Sequence, residues 1–257
     1  MGILNVTPDS FYDGGRHMDS TSLRDQITLM LDDGADSIDI GGVSSRPGAS
    51  EVTLEEEWRR VEEPIKVALD AGAIVSIDTT KAEIARRALN LGVHIINDIT
   101  AGGGDDEMYT VVAHHDAIYI AMHIQGSPQT MQADPQYDSV TLDVLSYFAR
   151  RLNVMQDAGV SQVIVDPGFG FGKSLDHNYQ LFNGLSSFQV LGRPVMLGVS
   201  RKSMIYKLDN SSPDTALPGS LGLALLGLQS GARLLRVHDV KETAQIVKVF
   251  NQLKSNL

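Results

Sequence analysis

Short runs of apolar residues alternate along the whole chain with longer amphipathic stretches. The short runs are rich in β-branched residues and apolar nearly throughout, a pattern typical of parallel strands that are buried on both faces. We therefore predict eight strands, at residues 1–6, 37–41, 74–78, 94–99, 117–123, 163–166, 195–199 and 234–237.

The longer stretches carry apolar positions at helical spacing, and several of them end at a glycine suited to a left-handed helix terminus. These glycines are Gly34, Gly72, Gly92, Gly159, Gly192 and Gly231. The predicted helices lie at 21–33, 53–71, 81–91, 105–115, 138–158, 176–191, 218–230 and 241–254.

Eight strands, each followed by a helix, predict an α/β protein with a (β/α)₈ barrel of the TIM type. An open, doubly wound sheet is the competing architecture, but it rarely repeats eight even units over a chain of 257 residues. No linker or break in composition divides the chain. We therefore expect one domain over residues 1–257.

Composition narrows the functional classes. The chain holds 21 Lys and Arg against 32 Asp and Glu, a formal charge of −11, which argues against a broad nucleic-acid footprint. The absence of cysteine excludes disulfides, thiolate zinc sites and cysteine nucleophiles. No apolar run reaches membrane-spanning length, and Asp9, Asp13 and Asp19 replace the apolar core of a signal peptide. We expect a cytoplasmic protein with neither membrane nor nucleic-acid partners.

The ends of the predicted strands carry the candidate chemistry, because the loops after the strands of such a barrel build its active site. A single polar residue there is explained equally well as a helix cap, but a whole set favours a site. That set comprises Asn5, Asp39, Asp78, Asn97, His123, Asp166, Ser200, Arg201, Lys202, Arg236, His238 and Asp239.

One part of this set matches a heterocycle. Asp78, Asn97 and Asp166 end three different strands, and two carboxylates with one amide suit a ring that presents N–H donors and acceptors. Acid–base catalysis is a second use for the carboxylates, and metal ligation is a weaker one. The segment 166–174 is not a phosphate-binding loop, because Pro167 stands where that motif requires glycine. We interpret it as a turn that directs Asp166 inward and offers Phe171 as a wall for a flat ring.

A second part of the set suits an anion. Cationic residues follow the last two predicted strands, at 200–203 and 236–239, where barrel enzymes commonly hold phosphate. Asn5 offers an amide oxygen to Mg²⁺, which binds few protein ligands and keeps its water and phosphate oxygens. Arg46 offers a guanidinium fork, although a solvated loop arginine explains it equally well. The polar loop that follows Asn5 suits a lid, and Met122, near a strand end, is a candidate ring contact.

These residues stand within eight motifs that occur in order along nearly the whole chain. The motifs are MGILNVTPDSF at 1–11, GGVSSRPGA at 41–49, SIDTTKAEIA at 76–85, INDIT at 96–100, MHIQGSPQTMQ at 122–132, DPGFGFGK at 166–173, SRKS at 200–203 and RVHD at 236–239. In these motifs the chain resembles the dihydropteroate synthases, a family of pterin-binding barrels. The resemblance implies condensation of 6-hydroxymethyl-7,8-dihydropterin diphosphate with p-aminobenzoate, giving 7,8-dihydropteroate and pyrophosphate. It also implies Mg²⁺ as the cofactor, a homodimer, and a protein that sulfonamides target.

The resemblance also assigns residues to roles. It gives the pterin four polar contacts and two apolar walls: Asp78, Asn97, Asp166 and Lys202, with Met122 and Phe171. It gives the diphosphate and its magnesium Asn5, Arg46, Arg236 and His238. It places near p-aminobenzoate Ser45, Pro47 and Ser200. Asp78, Asp166, Lys202 and Arg236 are the catalytic candidates among them.

The chain departs from the family pattern at two loop positions and at its start. Val43 stands where the family usually has Glu, which puts the order of this loop and full activity in question, and Ser45 replaces Thr but keeps a hydroxyl. The family also commonly has a short segment before the first strand, so a trimmed chain or part of a longer polypeptide is expected. Two alternatives stay open at this point: a methyltetrahydrofolate–corrinoid methyltransferase, and a non-catalytic paralogue that binds pterin.

Overall fold

The computed structural model describes residues 1–6, 20–44, 52–126, 130–131 and 133–255. The predicted lid after Asn5 and the site candidates Ser45, Arg46 and Pro47 lie outside these residues. Within the described ranges, every helix is too short or too polar to cross a bilayer.

Across the described residues, eight parallel strands form a closed barrel, which confirms the predicted fold class. Their bounds are β1 Gly2–Asn5, β2 Ser37–Gly41, β3 Ile74–Asp78, β4 Ile95–Asp98, β5 Ile118–Met122, β6 Val163–Asp166, β7 Met196–Leu197 and β8 Leu234–Leu235. Strands β1 to β6 pair in chain order, and β7 pairs with β8. Two bridges close the ring: Val165 with Val195 joins β6 to β7, and Gly2 with Val237 joins β8 to β1.

The last two strands are shorter than predicted, with two residues each. Their hydrogen-bond ladder continues irregularly past both ends, since the Arg236 N–H donates to Leu197 O at 3.0 Å and the Val237 N–H donates to Met1 O at 3.0 Å. The chain therefore stays extended through Arg236 even where regular strand pairing has ended.

Helices lie between the strands and after the last one. Their bounds are α1 Ser20–Asp32, α2 Leu54–Asp70, α3 Ala82–Leu91, α4 Met108–His114, α5 Val140–Asp157, α6 Leu175–Asn183, α7 Ser203–Tyr206, α8 Leu217–Gln229 and α9 Val240–Lys254. The six glycines predicted to end helical stretches all adopt positive φ, from +63° to +104°. The sequence pattern did not predict the short helix α7 or a 3₁₀ turn at Pro213–Thr215.

The prediction of one helix over 176–191 is wrong in its second half. Helix α6 ends at Asn183, and Leu185–Leu191 is a 3₁₀ helix. The break falls at Gly184, which lies so close to α5 that a Cβ there would sit 2.5 Å from the Thr141 side chain. This approach between two helices requires glycine, and glycine weakens helix propagation at the same point.

The core has two parts. The larger one fills the space between the strands and the surrounding helices, and the smaller one groups Met1, Ile95, Ile120 and Met196 from four different strands or their ends. Successive residues of a strand point to opposite faces, so Asn97 shares the face of Ile95, two residues before it. The barrel interior thus changes from apolar to polar toward the carboxyl ends of the strands, and the candidate site lies there.

Candidate active site

The strand register brings the predicted heterocycle contacts side by side. Asp78 at the end of β3 is the register partner of Asn97 on β4, and Met122 on β5 is the partner of Asp166 on β6. Asn97, Met122 and Asp166 are all buried, with at most 4% of their surface exposed. The closed barrel therefore brings these side chains to one end of its interior, as the sequence predicted.

A hydrogen-bonded network crosses the barrel between β2, β3, β4 and the chain after β8. One carboxylate oxygen of Asp39, Oδ2, accepts from Asn97 Nδ2 at 3.0 Å and from Arg236 Nε at 2.6 Å. The same guanidinium donates through Nη2 to Asp78 Oδ2 at 2.9 Å. The predicted anion ligand Arg236 is thus in direct contact with the predicted heterocycle set.

The electrostatics of this network leave Asp78 poised near neutral pH. Burial raises the pKa of Asp78 to about 7, an effect that the Asp39 charge reinforces and the Arg236 charge opposes. A carboxyl group that changes protonation in this range is typical of functional sites. Asp78 can therefore accept or donate a hydrogen bond to a ligand, depending on its proton.

Asp166 and Lys202 form a second charged corner. Burial raises the pKa of Asp166 and lowers that of Lys202 to about 8, while the attraction between the two charges opposes both shifts. Gly198 lies between them: a Cβ there would be 3.8 Å from Asp166 Oδ2 and 3.9 Å from Lys202 Nζ. Asp166 Oδ1 also accepts the Gly168 N–H at 2.9 Å, which holds the carboxylate against its own loop.

The predicted ring wall Phe171 lies beside Lys202. The ammonium group of Lys202 is 4.7 Å from the centroid of the Phe171 ring and donates a hydrogen bond to Phe169 O. A cation over an aromatic face is attracted by the ring quadrupole. Phe171 therefore orients Lys202 as well as lining the site.

Lys173 lies in the loop after β6, which the sequence pattern excludes as a phosphate-binding loop, and its ammonium group is held by carbonyl groups of that loop. This residue is 3% exposed, and its ammonium group donates to Gly168 O at 2.9 Å and to Phe171 O at 3.0 Å. It also contacts His123 Nδ1 at 3.0 Å, and burial lowers the pKa of Lys173 to about 7 and that of His123 to about 3. Lys173 thus ties the loop after β6 to the end of β5 rather than reaching toward a ligand.

Two pairs of consecutive residues connect the loops after β7 and β8. Ser200 Oγ accepts the His238 N–H at 3.1 Å and lies 3.1 Å from His238 Nδ1. Arg201, which the sequence placed among the anion-binding cations, instead forms a two-point ion pair with Asp239, at 2.6 Å and 2.9 Å. Asp239, a member of the strand-end set, is therefore occupied by Arg201.

Asn5 lies in the corner of the site occupied by Asp78. A Cβ on Gly41 would be 3.7 Å from Asn5 Oδ1 and 3.9 Å from Asp78 Oδ2, so both oxygens lie over this glycine. No group of three or more acidic or histidine side chains suited to a metal occurs in the part of the chain that the structure describes. These donors fit a Mg²⁺ ion that takes most of its oxygens from water and substrate.

The sequence pattern marks Asp39 only as a polar residue near a strand end, without a role. Its side chain is completely buried, and both donors that it accepts from in the described ranges belong to candidate site residues. An acidic residue between Ile38 and Ile40 is a usable signal, since the outer face of a barrel strand packs against helices and must be apolar. Alternation therefore places Asp39 inside the barrel.

The fold and the site together define a (β/α)₈-barrel enzyme in which a polar pocket for a flat ring adjoins a group of cations. The chain belongs to the pterin binding enzyme family, which matches residues 1–238. It is 43% identical over 252 residues to the dihydropteroate synthase of Escherichia coli K12, covering 97% of this chain and 89% of that one.

Solved structures give the same relationship. The dihydropteroate synthase of Yersinia pestis, in complex with a sulfonamide drug, superposes with a TM-score of 0.93 at 39% identity, covering 99% of this chain and 93% of that one. The enzyme of Xanthomonas albilineans with 4-aminobenzoic acid superposes with a TM-score of 0.91 at 38% identity, covering 98% and 92%.

Proposed function

We infer that the protein is a transferase of folate biosynthesis that condenses 6-hydroxymethyl-7,8-dihydropterin diphosphate with p-aminobenzoate, giving 7,8-dihydropteroate and pyrophosphate. One observation carries this inference: Arg236, the cation suited to the diphosphate, shares a hydrogen-bond network with Asp78 and Asn97, the groups suited to the ring. A substrate that joins a heterocycle to an anion through one carbon fits this adjacency. The similarity to proteins named dihydropteroate synthase supports it.

The pterin lies, in this proposal, among Asp78, Asn97, Asp166 and Lys202. Buried carboxylate, amide and ammonium groups reject a ring that leaves them unpaired, which gives strong discrimination. Two apolar side chains, the buried Met122 and the half-buried Phe171, support the proposal by offering apolar surface to the faces of the ring.

The diphosphate lies on the side of Asn5, Arg236 and His238, with Arg46 as a further candidate. We propose that Asn5 would hold Mg²⁺ through its amide oxygen, and the ion would supply positive charge next to the diphosphate leaving group. Arg236 adds a fixed cation that needs no reorganisation as charge develops, which is the usual source of such catalysis.

The reaction is proposed to be dissociative. The bond between the pterin methylene carbon and the bridging oxygen breaks first, and its electron pair leaves with pyrophosphate. Asp78 and Asp166 favour the cationic pterin that remains. The nitrogen of p-aminobenzoate, held near Ser45, Pro47 and Ser200, then forms the new C–N bond and releases its proton to pyrophosphate or solvent. An arylamine is a usable nucleophile, so no strong general base is required.

A single assay tests this function. The protein is incubated with pterin diphosphate, p-aminobenzoate and Mg²⁺, and 7,8-dihydropteroate and pyrophosphate are measured. We expect equal amounts of both products, and loss of both on addition of a chelator. Pyrophosphate without dihydropteroate contradicts the transfer, and wild-type turnover in Asp166→Asn contradicts the role of its carboxylate.

Two other functions fit the fold less well. A methyltetrahydrofolate–corrinoid methyltransferase shares the ring pocket but has no diphosphate to neutralise, so Arg236 beside the ring set favours the synthase. A non-catalytic pterin-binding paralogue has only Val43 in its support. Calorimetry that shows pterin binding, with no pyrophosphate release after p-aminobenzoate is added, identifies that paralogue.

We also propose that the protein forms a homodimer through α8 and α9. Helix α8 contains no charged residue, and Leu226 on it is 51% exposed. Val249 and Leu253 on the neighbouring α9 are 49% and 57% exposed. Light scattering of the wild type and of Leu226→Glu tests this, with a shift toward monomer expected in the variant.

The cytoplasmic location stays a prediction that cell fractionation checks.

A further inference from the structure

We propose that Asp39 is a positioning residue that sets two ligand contacts at once: it fixes which end of the Asn97 amide faces the ring, and it fixes the direction of the Arg236 guanidinium. The proposal rests on the proposed function for the identity of the ligands. Asp39 itself does not contact them, because its side chain is fully buried behind the two residues that it holds.

The geometry of Asp39 makes this role specific. Both bonds fall on the same oxygen, Oδ2, with Asn97 Nδ2 at 3.0 Å and Arg236 Nε at 2.6 Å. The other oxygen, Oδ1, is buried and has no hydrogen-bond partner among the described residues. A buried carboxylate with an unpaired oxygen is costly. The fold therefore tolerates a destabilising group whose hydrogen bonds, among the described residues, all go to candidate site residues.

The hydrogen bond between Asn97 and Asp39 determines whether the Asn97 amide presents its oxygen or its nitrogen to a ring. Since Nδ2 donates to the Asp39 carboxylate, the oxygen end of the amide is directed away from it, where it accepts no hydrogen bond from the described part of the chain. A flipped amide would place two oxygens in contact. Asn97 therefore presents an acceptor, which selects a ring with an N–H donor. Without Asp39 the amide is free to present either end.

Arg236 has two carboxylate partners, of which Asp39 is permanent and Asp78 can be replaced by a ligand. Asp39 is completely buried and holds Nε, whereas the side chain of Asp78 is 20% exposed and holds Nη2. A ligand can therefore compete for Asp78 while Asp39 keeps the guanidinium in place. Asp39 therefore sets the plane of the Arg236 guanidinium group, and with it the direction of the N–H donors that remain for a ligand.

A double-mutant cycle tests the proposal. Affinities for 6-hydroxymethylpterin and for pyrophosphate with Mg²⁺ are measured separately by calorimetry in Asp39→Ala, Asn97→Ala and the double variant. We expect Asp39→Ala to weaken both ligands by at least about tenfold, as for loss of a buried charged hydrogen bond. In the Asn97→Ala background the loss in pterin affinity should disappear, whereas the loss in pyrophosphate affinity should remain.

Two further variants keep the test decisive. Asp39→Asn retains an oxygen acceptor in the same place, so it should restore pterin affinity more fully than pyrophosphate affinity. Ser76→Ala is the matched control, because Ser76 is the register partner of Asp39, is equally buried, and its hydroxyl has no hydrogen-bond partner among the described residues. It should bind both ligands as the wild type does.

Additive losses in pterin affinity, unchanged affinities in Asp39→Ala, or equal losses in Ser76→Ala would each overturn the proposal. If Asp39→Ala proves unfolded by circular dichroism, Asp39→Asn decides: equal losses for both ligands contradict the selective role. Failure of the proposed function is distinguishable, because it appears in the wild type as absence of dihydropteroate or of pterin binding.

Discussion

Replacing Gly168 by alanine should disable the site while leaving most of the fold intact. Gly168 follows β6, adopts φ +73°, and lies so close to the end of β5 that a Cβ would sit 1.9 Å from the carbonyl oxygen of His123. Real Cβ contacts essentially never fall below 3.0 Å. Because the obstacle is backbone, no side-chain rotation relieves it, and the two loops must move apart by about 1 Å.

The magnitude follows from two effects that a control can separate. Left-handed backbone costs alanine about 1–2 kcal/mol relative to glycine. Gly72 is the matched control, because it has φ +77° but no atom within 4 Å of the position that a Cβ would occupy, so Gly72→Ala suffers the backbone effect alone. Gly168→Ala adds the displacement, which moves Asp166 and Phe171 with their loop. A misplacement of about 1 Å in such a site costs about 10²-fold in rate.

The assay is pyrophosphate release with both substrates and Mg²⁺, beside a thermal melt of each variant. Gly72→Ala should lower the melting temperature by a few degrees, at about 2–4 °C per kcal/mol for a chain of this size, and keep the wild-type kcat/KM. Gly168→Ala should lose about 10²-fold in kcat/KM and melt lower than Gly72→Ala. Wild-type activity in Gly168→Ala would refute the reasoning, as would equal activity losses in the two variants.

Three further predictions concern charge and hydrogen bonding. Because the pKa of Lys202 is lowered to about 8, kcat/KM should fall as the pH rises through about 8. Lys202→Arg should keep its activity to higher pH, and identical pH profiles of kcat/KM in the two proteins would contradict a role for this charge. Arg201→Ala and Asp239→Ala should each lower kcat/KM by a similar factor, and the double variant should lose no more than either, since both remove one ion pair. Tyr119→Phe removes a 2.6 Å bond to Asp98 and should lower the free energy of unfolding by about 2 kcal/mol without changing kcat, as urea titration and initial rates will show.

The architecture was predictable from the sequence because the apolar runs of the strands and the helical spacing of apolar positions are nearly uninterrupted along the chain. Strand bounds at β2, β3 and β6 match the prediction to the residue. The errors fall where local pattern competes with tertiary contact: Gly184 ends α6 because α5 approaches it, and the short β7 and β8 continue as irregular extended chain. Neither contact can be derived from residues near it in sequence.

The site was predictable as a set of residues but not as a set of contacts. Strand-end position located Asp78, Asn97, Asp166 and Arg236, since a closed barrel brings strand ends together. The sequence did not predict which charged residues pair with one another. Arg201 pairs with Asp239, 38 positions later in the chain, and the pair depends on how two loops pack. The position of a charged residue at a strand end predicts that it lies near the site. It does not predict whether that charge is already paired with an opposite one.

These ion pairs suit an acidic protein that binds a diphosphate, because Arg201 and Arg236 in the described part of the chain already have carboxylate partners. Arg236 is engaged by two carboxylates and Lys202 lies beside Asp166, so the attraction of these carboxylates offsets part of the cost of burying the two cations. Burial raises the pKa of Asp78 to about 7, and its side chain is 20% exposed, whereas that of Asp39 is completely buried. We expect an arriving diphosphate to compete with Asp78, the more exposed of the two partners. We expect release of Asp78 from Arg236 to make that carboxylate available to the ring, which would couple binding of the two halves of one substrate.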